Sequence, residues 1–281
     1  MSKSPPDRRS AARALALVFV FAVFASVLFA PRVVAQVQST VKVQGDGSVP
    51  TKGIPQAKSR EELSDYNAAY GITGGAALEQ AADDFAAKYP ASELRSYLYS
   101  KAMREYENED NAPKMLSTGR QVLVLDPDNI IALVLTAEVL ADSLSDIDQD
   151  RAQKIAEIKR NARHALQLID SGAFPAEATP ATIEAYKTTL PALARSALGI
   201  MELKNGDNEG AENDLKIATR LGEAQPDPYD WYHLALAQDR LKKYAEARAS
   251  AEQALRYAVT APDLSALIDA ERQRLARLAK K

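Results

Sequence analysis

The sequence predicts an all-α chain whose main body is a stack of short antiparallel helix hairpins. Three observations predict it. From Arg60 onward, apolar residues recur at spacings of three and four and are broken by Pro or Gly every ten to twenty residues, the pattern of successive amphipathic helices. Alanine supplies 51 of the 281 residues, and it both favours helix and lets two backbones approach closely. After Ser59 strand signals nearly vanish. The β-branched cluster from Val122 to Val134 is cut by Asp126-Pro127-Asp128-Asn129, a run that ends one helix and caps the next.

The chain opens in a different texture. Residues 1–13 carry Lys3, Arg8, Arg9 and Arg13 against Asp7, Ala14 to Ala30 run seventeen residues without a charge, and Val33-Val34-Ala35 follows with small residues. Residues 1–35 therefore read as a secretory signal peptide cleaved after Ala35. The alternative is an uncleaved anchor, because seventeen residues lie at the lower edge of what spans a bilayer. The expected location is periplasmic or secreted, with inner-membrane anchoring through residues 14–30 if the segment is kept. Residues 36–59 hold Gly45, Gly47, Pro50, Gly53 and Pro55 without a helical period and read as a flexible linker. Residues 60–281 form the repeat domain. The whole chain has a net charge of −3; since residues 1–35 carry +4, the remaining 246 carry −7. An acidic body of this kind is a poor partner for nucleic acid.

The helical part divides into units. The first, Glu61 to Pro90, contains SDYNAAY and AADDFAAKYPAS; Pro90 stops a helix and Ser92 is placed to cap the next. In the second, Tyr99, Ala102, Met103 and Tyr106 precede Met115, Val122 and the turn LDPDN. In the third, Leu133, Ala137 and Leu140 pair with Ile158, Ala162, Ala165 and Leu166. The fourth sets Leu198-Gly199 and Gly206 against Ala211, Leu215 and Ala218, with glycine where two helices of one hairpin nearly touch. The fifth, Pro228 to Ala258, has one stripe of Trp231, Leu234 and Ala235 and another of Tyr244, Ala247, Ala251, Ala254 and Leu255. The link Leu241-Lys242-Lys243 admits only an antiparallel pair. A final stretch presents Leu264, Leu267, Ile268, Leu275 and Leu278 on one face, interrupted by Glu271. It predicts a partly buried capping helix with a cationic end at Arg274, Arg277, Lys280 and Lys281.

These units resemble the tetratricopeptide repeat (TPR), which runs from an aromatic through Leu-Gly and a tyrosine to a small residue, a large apolar one and a closing proline. The fifth unit has Ala235, Gln238 and Ala251 where the pattern has glycine, tyrosine and the large residue, and its proline comes late, at Pro262. Equivalent closing positions are Phe85, Val122, Ala165, Ala218 and Ala254, spaced by 37, 43, 53 and 36 residues. Against a repeat of about 34, this places roughly nine extra residues in Ser143 to Arg151 and roughly nineteen in Ser171 to Thr189, as loops or helix extensions. Three to five complete repeats are expected.

The resemblance implies a right-handed α-solenoid whose concave wall comes from the first helix of each pair and binds peptides or helices. The wall positions are Tyr97, Ser100 and Arg104, then Ile131, Val134 and Glu138, then Leu193, Ser196 and Ile200, then Tyr229, Tyr232 and Leu236. The expected partner-binding residues are Tyr97, Arg104, Ile131, Val134, Glu138, Tyr229, Tyr232 and Leu236. Only Arg104 among the wall positions is basic, so the lysine-rich grip on a C-terminal carboxylate used by one branch of the family is not expected. The wall reads as aromatic and aliphatic, suited to an apolar segment, an amphipathic helix or the chain's own linker.

Catalytic chemistry finds no foothold. The absence of Cys removes thiol nucleophiles and thiolate metal sites, and His164 and His233 stand far apart in sequence. No glycine-rich phosphate loop, paired-histidine helix or serine elbow is present. Gly71-Ile72-Thr73-Gly74-Gly75 lacks a following Lys and reads as a helix break. Asp142, Asp146, Asp148 and Asp150 lack the glycine and terminal glutamate of a calcium loop and read as a solvated loop. No cofactor and no metal are expected. The expected function is an exported, non-enzymatic scaffold for a protein, helix or peptide partner. The alternative is an accessory subunit of a complex assembling cell wall or outer membrane.

Overall fold

The computed structural model describes residues 55–175 and 178–278. The signal-peptide reading of residues 1–35 and most of the linker reading of 36–59 lie outside the described residues.

Eleven helices and no strand occur among them. They are α1 (Arg60–Tyr70), α2 (Gly75–Lys88), α3 (Arg95–Asn108), α4 (Ala112–Leu125), α5 (Ile130–Ser143), α6 (Arg151–Ser171), α7 (Pro180–Lys204), α8 (Asn208–Leu221), α9 (Pro228–Arg240), α10 (Tyr244–Tyr257) and α11 (Pro262–Leu278). Their starts are set locally: Ser59, Asn111, Asn129, Thr179, Asp207 and Asp227 each accept a hydrogen bond from an N–H of the first turn. Asn129 therefore does what the LDPDN turn predicts. Asn129→Ala is expected to lower stability by about 1 kcal/mol, read as a shifted denaturant midpoint with unchanged slope. Ser92 departs from expectation. The residue capping α3 is Leu94, which lends no side-chain bond, while the Ser92 hydroxyl accepts from Leu94 N–H at 3.1 Å in the turn ahead of the helix.

Helices α1/α2, α3/α4, α5/α6, α7/α8 and α9/α10 are five hairpins packed in chain order, and α11 closes the stack against α10. All five closing positions, Phe85, Val122, Ala165, Ala218 and Ala254, are buried. The core is continuous. Leu123, Ile131 and Leu193 pack against both of its larger clusters, and Trp231 joins the second of these to the C-terminal one. Of the two insertions, Ser143 to Arg151 is the loop between α5 and α6, whereas residues 180–189 of the second begin α7, which has 25 residues with Pro191 inside it; α6 has 21. The Gly71–Gly75 segment is the helix break that was expected, lying between α1 and α2.

First helices are also tied to their predecessors by cations. Lys101 of α3 donates to the carbonyls of Tyr70, the last residue of α1, and of Ile72 just past it, the latter at 2.7 Å. Lys204 of α7 donates to Ala141 and Asp142 at the end of α5, at 2.9 and 2.6 Å, and Arg240 of α9 to Leu203 of α7 at 2.6 Å. The last carbonyls of a helix lack intrahelical partners and carry partial negative charge, so an ammonium or guanidinium is a favourable cap.

The capping helix buries Leu264, Ile268 and Leu275, whereas Leu267 is 48% exposed. Glu271, which breaks the apolar stripe, binds the Arg274 guanidinium at 2.7 Å, and Arg274 also pairs with Asp239 of α9. The polar break is a latch between the cap and the last hairpin.

Candidate functional site

The wall expected from sequence lies on α3, α5, α7 and α9, and stacking sorts its residues into three groups. Val134 and Ile200 have no exposed surface and belong to the core, and Tyr229 is 8% exposed and packs in the C-terminal cluster. These side chains hold helices together and present little or nothing to a partner. Tyr97, Arg104, Ile131, Leu193, Tyr232 and Leu236 are half-buried. Arg104 faces the Tyr70 hydroxyl and the Glu107 carboxyl; burial pushes Glu107 up to about 7, and Arg104 pulls it partly back. Glu138 and Ser196 are buried polar residues; Glu138 lines an opening between the helices, and the Ser196 hydroxyl donates to Asp230, which lines it too.

That opening is a cleft of about 210 Å³. Glu138 contributes from α5, Thr188, Thr189, Ala192 and Leu193 from α7, and Ala218, Thr219 and Leu221 from the last turn of α8. Gly222, Ala224, Gln225 and Asp227 of the link and Asp230 of α9 complete it. Three consecutive first helices thus meet there. Asp227 accepts from Tyr229 N–H at 2.8 Å, and the Ser196 hydroxyl donates to Asp230, so both carboxylates are fixed in place. Of the wall positions, Glu138 and Leu193 line the cleft and Ser196 braces it; Tyr97 and Arg104 on α3, Ile131, Tyr232 and Leu236 do not line it.

Sequence reading missed Thr188, Thr189, Leu221, Asp227 and Asp230. The two threonines fall in the segment counted as an insertion, and Asp227-Pro228-Tyr229-Asp230 is a helix-start signature that gives no hint of a second role. His233, expected to be packed or groove-facing, is 3% exposed within α9, and His164 Nε2 meets Asp128 at 2.7 Å on the surface. In the acidic run, Asp146 is exposed and Asp148 pairs with Lys154 at 3.0 Å. Among the described residues no group of His, Asp or Glu is arranged to hold a metal ion, and no helix is long and apolar enough to cross a membrane.

The intrahelical glycines complete the geometry. A Cβ on Gly199 of α7 would lie 2.6 Å from Leu215 Cγ of α8, and one on Gly119 of α4 would lie 2.6 Å from Thr136 of α5. Hairpins stacked in chain order, with glycine at the closest approach inside the fourth, are what the resemblance implied. The fold is TPR-like. Among solved structures, a thermophilic TPR protein from Thermus thermophilus is similar to this chain, with 14% identity, a TM-score of 0.45, and coverage of 75% of this chain and 98% of that one. No family model and no curated protein sequence matches. In this stack the cleft is shared by the first helices α5, α7 and α9 with the end of α8 and the link after it.

Proposed function

We propose that the chain is an exported, non-enzymatic scaffold that holds a polypeptide partner along its first helices. The observation that carries this reading is the cleft joining Glu138 of α5, Leu193 of α7 and Asp230 of α9. At about 210 Å³ it is below the size of a typical small-molecule site and suits one or two side chains of a longer ligand. Export is supported by the charge-free run from Ala14 to Ala30, which follows a basic start.

Capture of partners from envelope extracts tests the binding role. Full-length protein is compared with Thr189→Trp and Leu221→Arg, which fill the cleft from α7 and from α8, and with Ile147→Ala on a loop residue that is 90% exposed. The expected result is a set of proteins held by the wild type and Ile147→Ala and lost from both filled variants. Equal recovery by all four forms contradicts the assignment. For export, the mass of the amino terminus in the mature protein is expected to correspond to a start at Gln36; a start at Met1 contradicts cleavage and leaves anchoring.

A further inference from the structure

We propose that the exposed face of the capping helix α11 pairs with the same face of a second copy of the chain, the two helices lying antiparallel. This surface shares no residue with the cleft. Helix α11 packs against α10 and, more lightly, against α9, and it buries Leu264, Ile268 and Leu275. On its other side Asp263, Ala266, Leu267, Ala270, Gln273 and Arg277 are all exposed, Leu267 by 48%. Asp263, Ala266, Ala270, Gln273 and Arg277 alternate spacings of three and four, the pattern with which a helix keeps one face toward a neighbouring helix along its length. Leu267 borders that line and adds apolar surface beside Ala266 and Ala270.

The order of groups along this face selects a second copy. It begins acidic, is small and apolar in the middle, and ends basic. Asp263 and Asp269 give residues 262–270 a net charge of −2, whereas Arg272, Arg274, Arg277, Lys280 and Lys281 against Glu271 give residues 271–281 a net +4. Arg274 and Glu271 are engaged in the latch to Asp239, and Arg272 binds Asp269 at 2.8 Å. Asp263 and Arg277 stand at the two ends of the exposed face, each seven residues from Ala270. Turning a second α11 end for end about Ala270 therefore sets Asp263 of each copy opposite Arg277 of the other and Ala270 against Ala270. The alanines let the two backbones approach closely, and a two-fold contact makes every such pair twice. In a parallel pair like charges would meet at both ends. Helix α11 has 17 residues and is about 25 Å long. A strip of that length and about 10 Å wide falls short of the roughly 800 Å² that each partner buries in a standard stable interface, so the dimer is weak, with a dissociation constant on the order of 10 μM.

Sedimentation velocity of the full chain, at concentrations from about 1 to 200 μM, tests the pairing. The expected result is a reversible monomer–dimer equilibrium that weakens about tenfold when salt is raised. Asp263→Arg and Arg277→Glu are each expected to leave a monomer, since each brings like charges together twice. Mixed in equal amounts, the two variants are expected to form a dimer again, because every pair between copies then has opposite signs. Each single change also removes a charge that suits its own end of the helix, a loss that mixing cannot repair, so recovery on mixing reports the contact and not the fold. Ala270→Cys gives a second readout. The chain has no Cys, and a short bismaleimide is expected to join two copies through position 270 but not through Val124→Cys, on α4 and 75% exposed. A wild type that stays monomeric over the whole range overturns the proposal, and one that stays monomeric but floats with anionic vesicles gives the basic end to a membrane surface instead. A dimer undiminished in either folded single variant, a mixture that stays monomeric, or equal crosslinking at 270 and 124 also overturns it.

Discussion

Replacing Gly199 by valine is expected to destabilise the protein by about 3 kcal/mol, measured by urea or thermal unfolding. The cause is space. Gly199 lies in α7 facing α8, where an added Cβ would stand 2.6 Å from Leu215 Cγ and 3.2 Å from Leu215 N, and Leu215 has no exposed surface into which to retreat. The backbone nitrogen is the harder obstacle, since a side chain can rotate whereas α8 would have to move as a whole. Gly199→Ala gains up to about 1 kcal/mol of helix propensity and should therefore cost less than valine. Leu215→Ala alone opens a cavity costing about 2 to 5 kcal/mol. Combined with Gly199→Ala, the two are expected to cost less than their sum by at least about 1 kcal/mol, because the new methyl enters part of the space vacated by the leucine. Strict additivity contradicts close packing of this hairpin.

Glu202→Gln is expected to raise stability near pH 8 by an amount on the order of 2 kcal/mol and to change it little near pH 4. Glu202 lies near the end of α7 and is 9% exposed. Burial, then the negative charges of Asp214 and Asp207, push its carboxyl up to about 7. The Asp214 carboxylate beside it is held by Arg195 at 2.6 Å. Because the folded state keeps this proton to a higher pH than the unfolded chain, where the carboxyl has its ordinary value of 4.5, the contribution of Glu202 is most favourable below about 4.5. It declines as pH rises to about 7 and is level beyond that. Glu107, also pushed up to about 7, adds a slope of the same sign, so Glu202→Gln should flatten the profile in part and Glu107→Gln should flatten it further. Glu62 and Glu212 are shifted the other way, by a hydrogen bond from Ser92 and by Lys216 and Lys243; they gain stability with rising pH at the acid end of the range and do not imitate the decline toward 7. A flat wild-type profile between pH 4.5 and 7 contradicts this account.

Much of the fold was legible because its signals are local. The buried stripe of alanines at 247, 251 and 254 and the Asn129 cap each depend on residues within a turn or two. Packing partners were less accessible. Helix α5 is buried on nearly every side from Ile130 to Ala141, so its sequence could not say which apolar residues face a groove: Val134 is core, whereas Ile131 is half-exposed. The aromatic and aliphatic wall expected from sequence is, at the cleft, a mixed surface with three carboxylates, because that surface also draws on α8 and the link after it. Ten residues of what counted as an insertion, 180–189, became the first part of α7 and brought Thr188 and Thr189 to the cleft. Only the contact between neighbouring hairpins gives those residues a role.

The central claim is that a polypeptide lies along the first helices at this cleft. Photo-crosslinking in living cells tests it most directly, with a photoreactive amino acid at Leu221, which lines the cleft and is 37% exposed, or at Val259, which is 83% exposed beyond α10. The account predicts discrete adducts with another polypeptide from position 221 that are absent from position 259. No adduct at 221, or the same adducts from both positions, contradicts it.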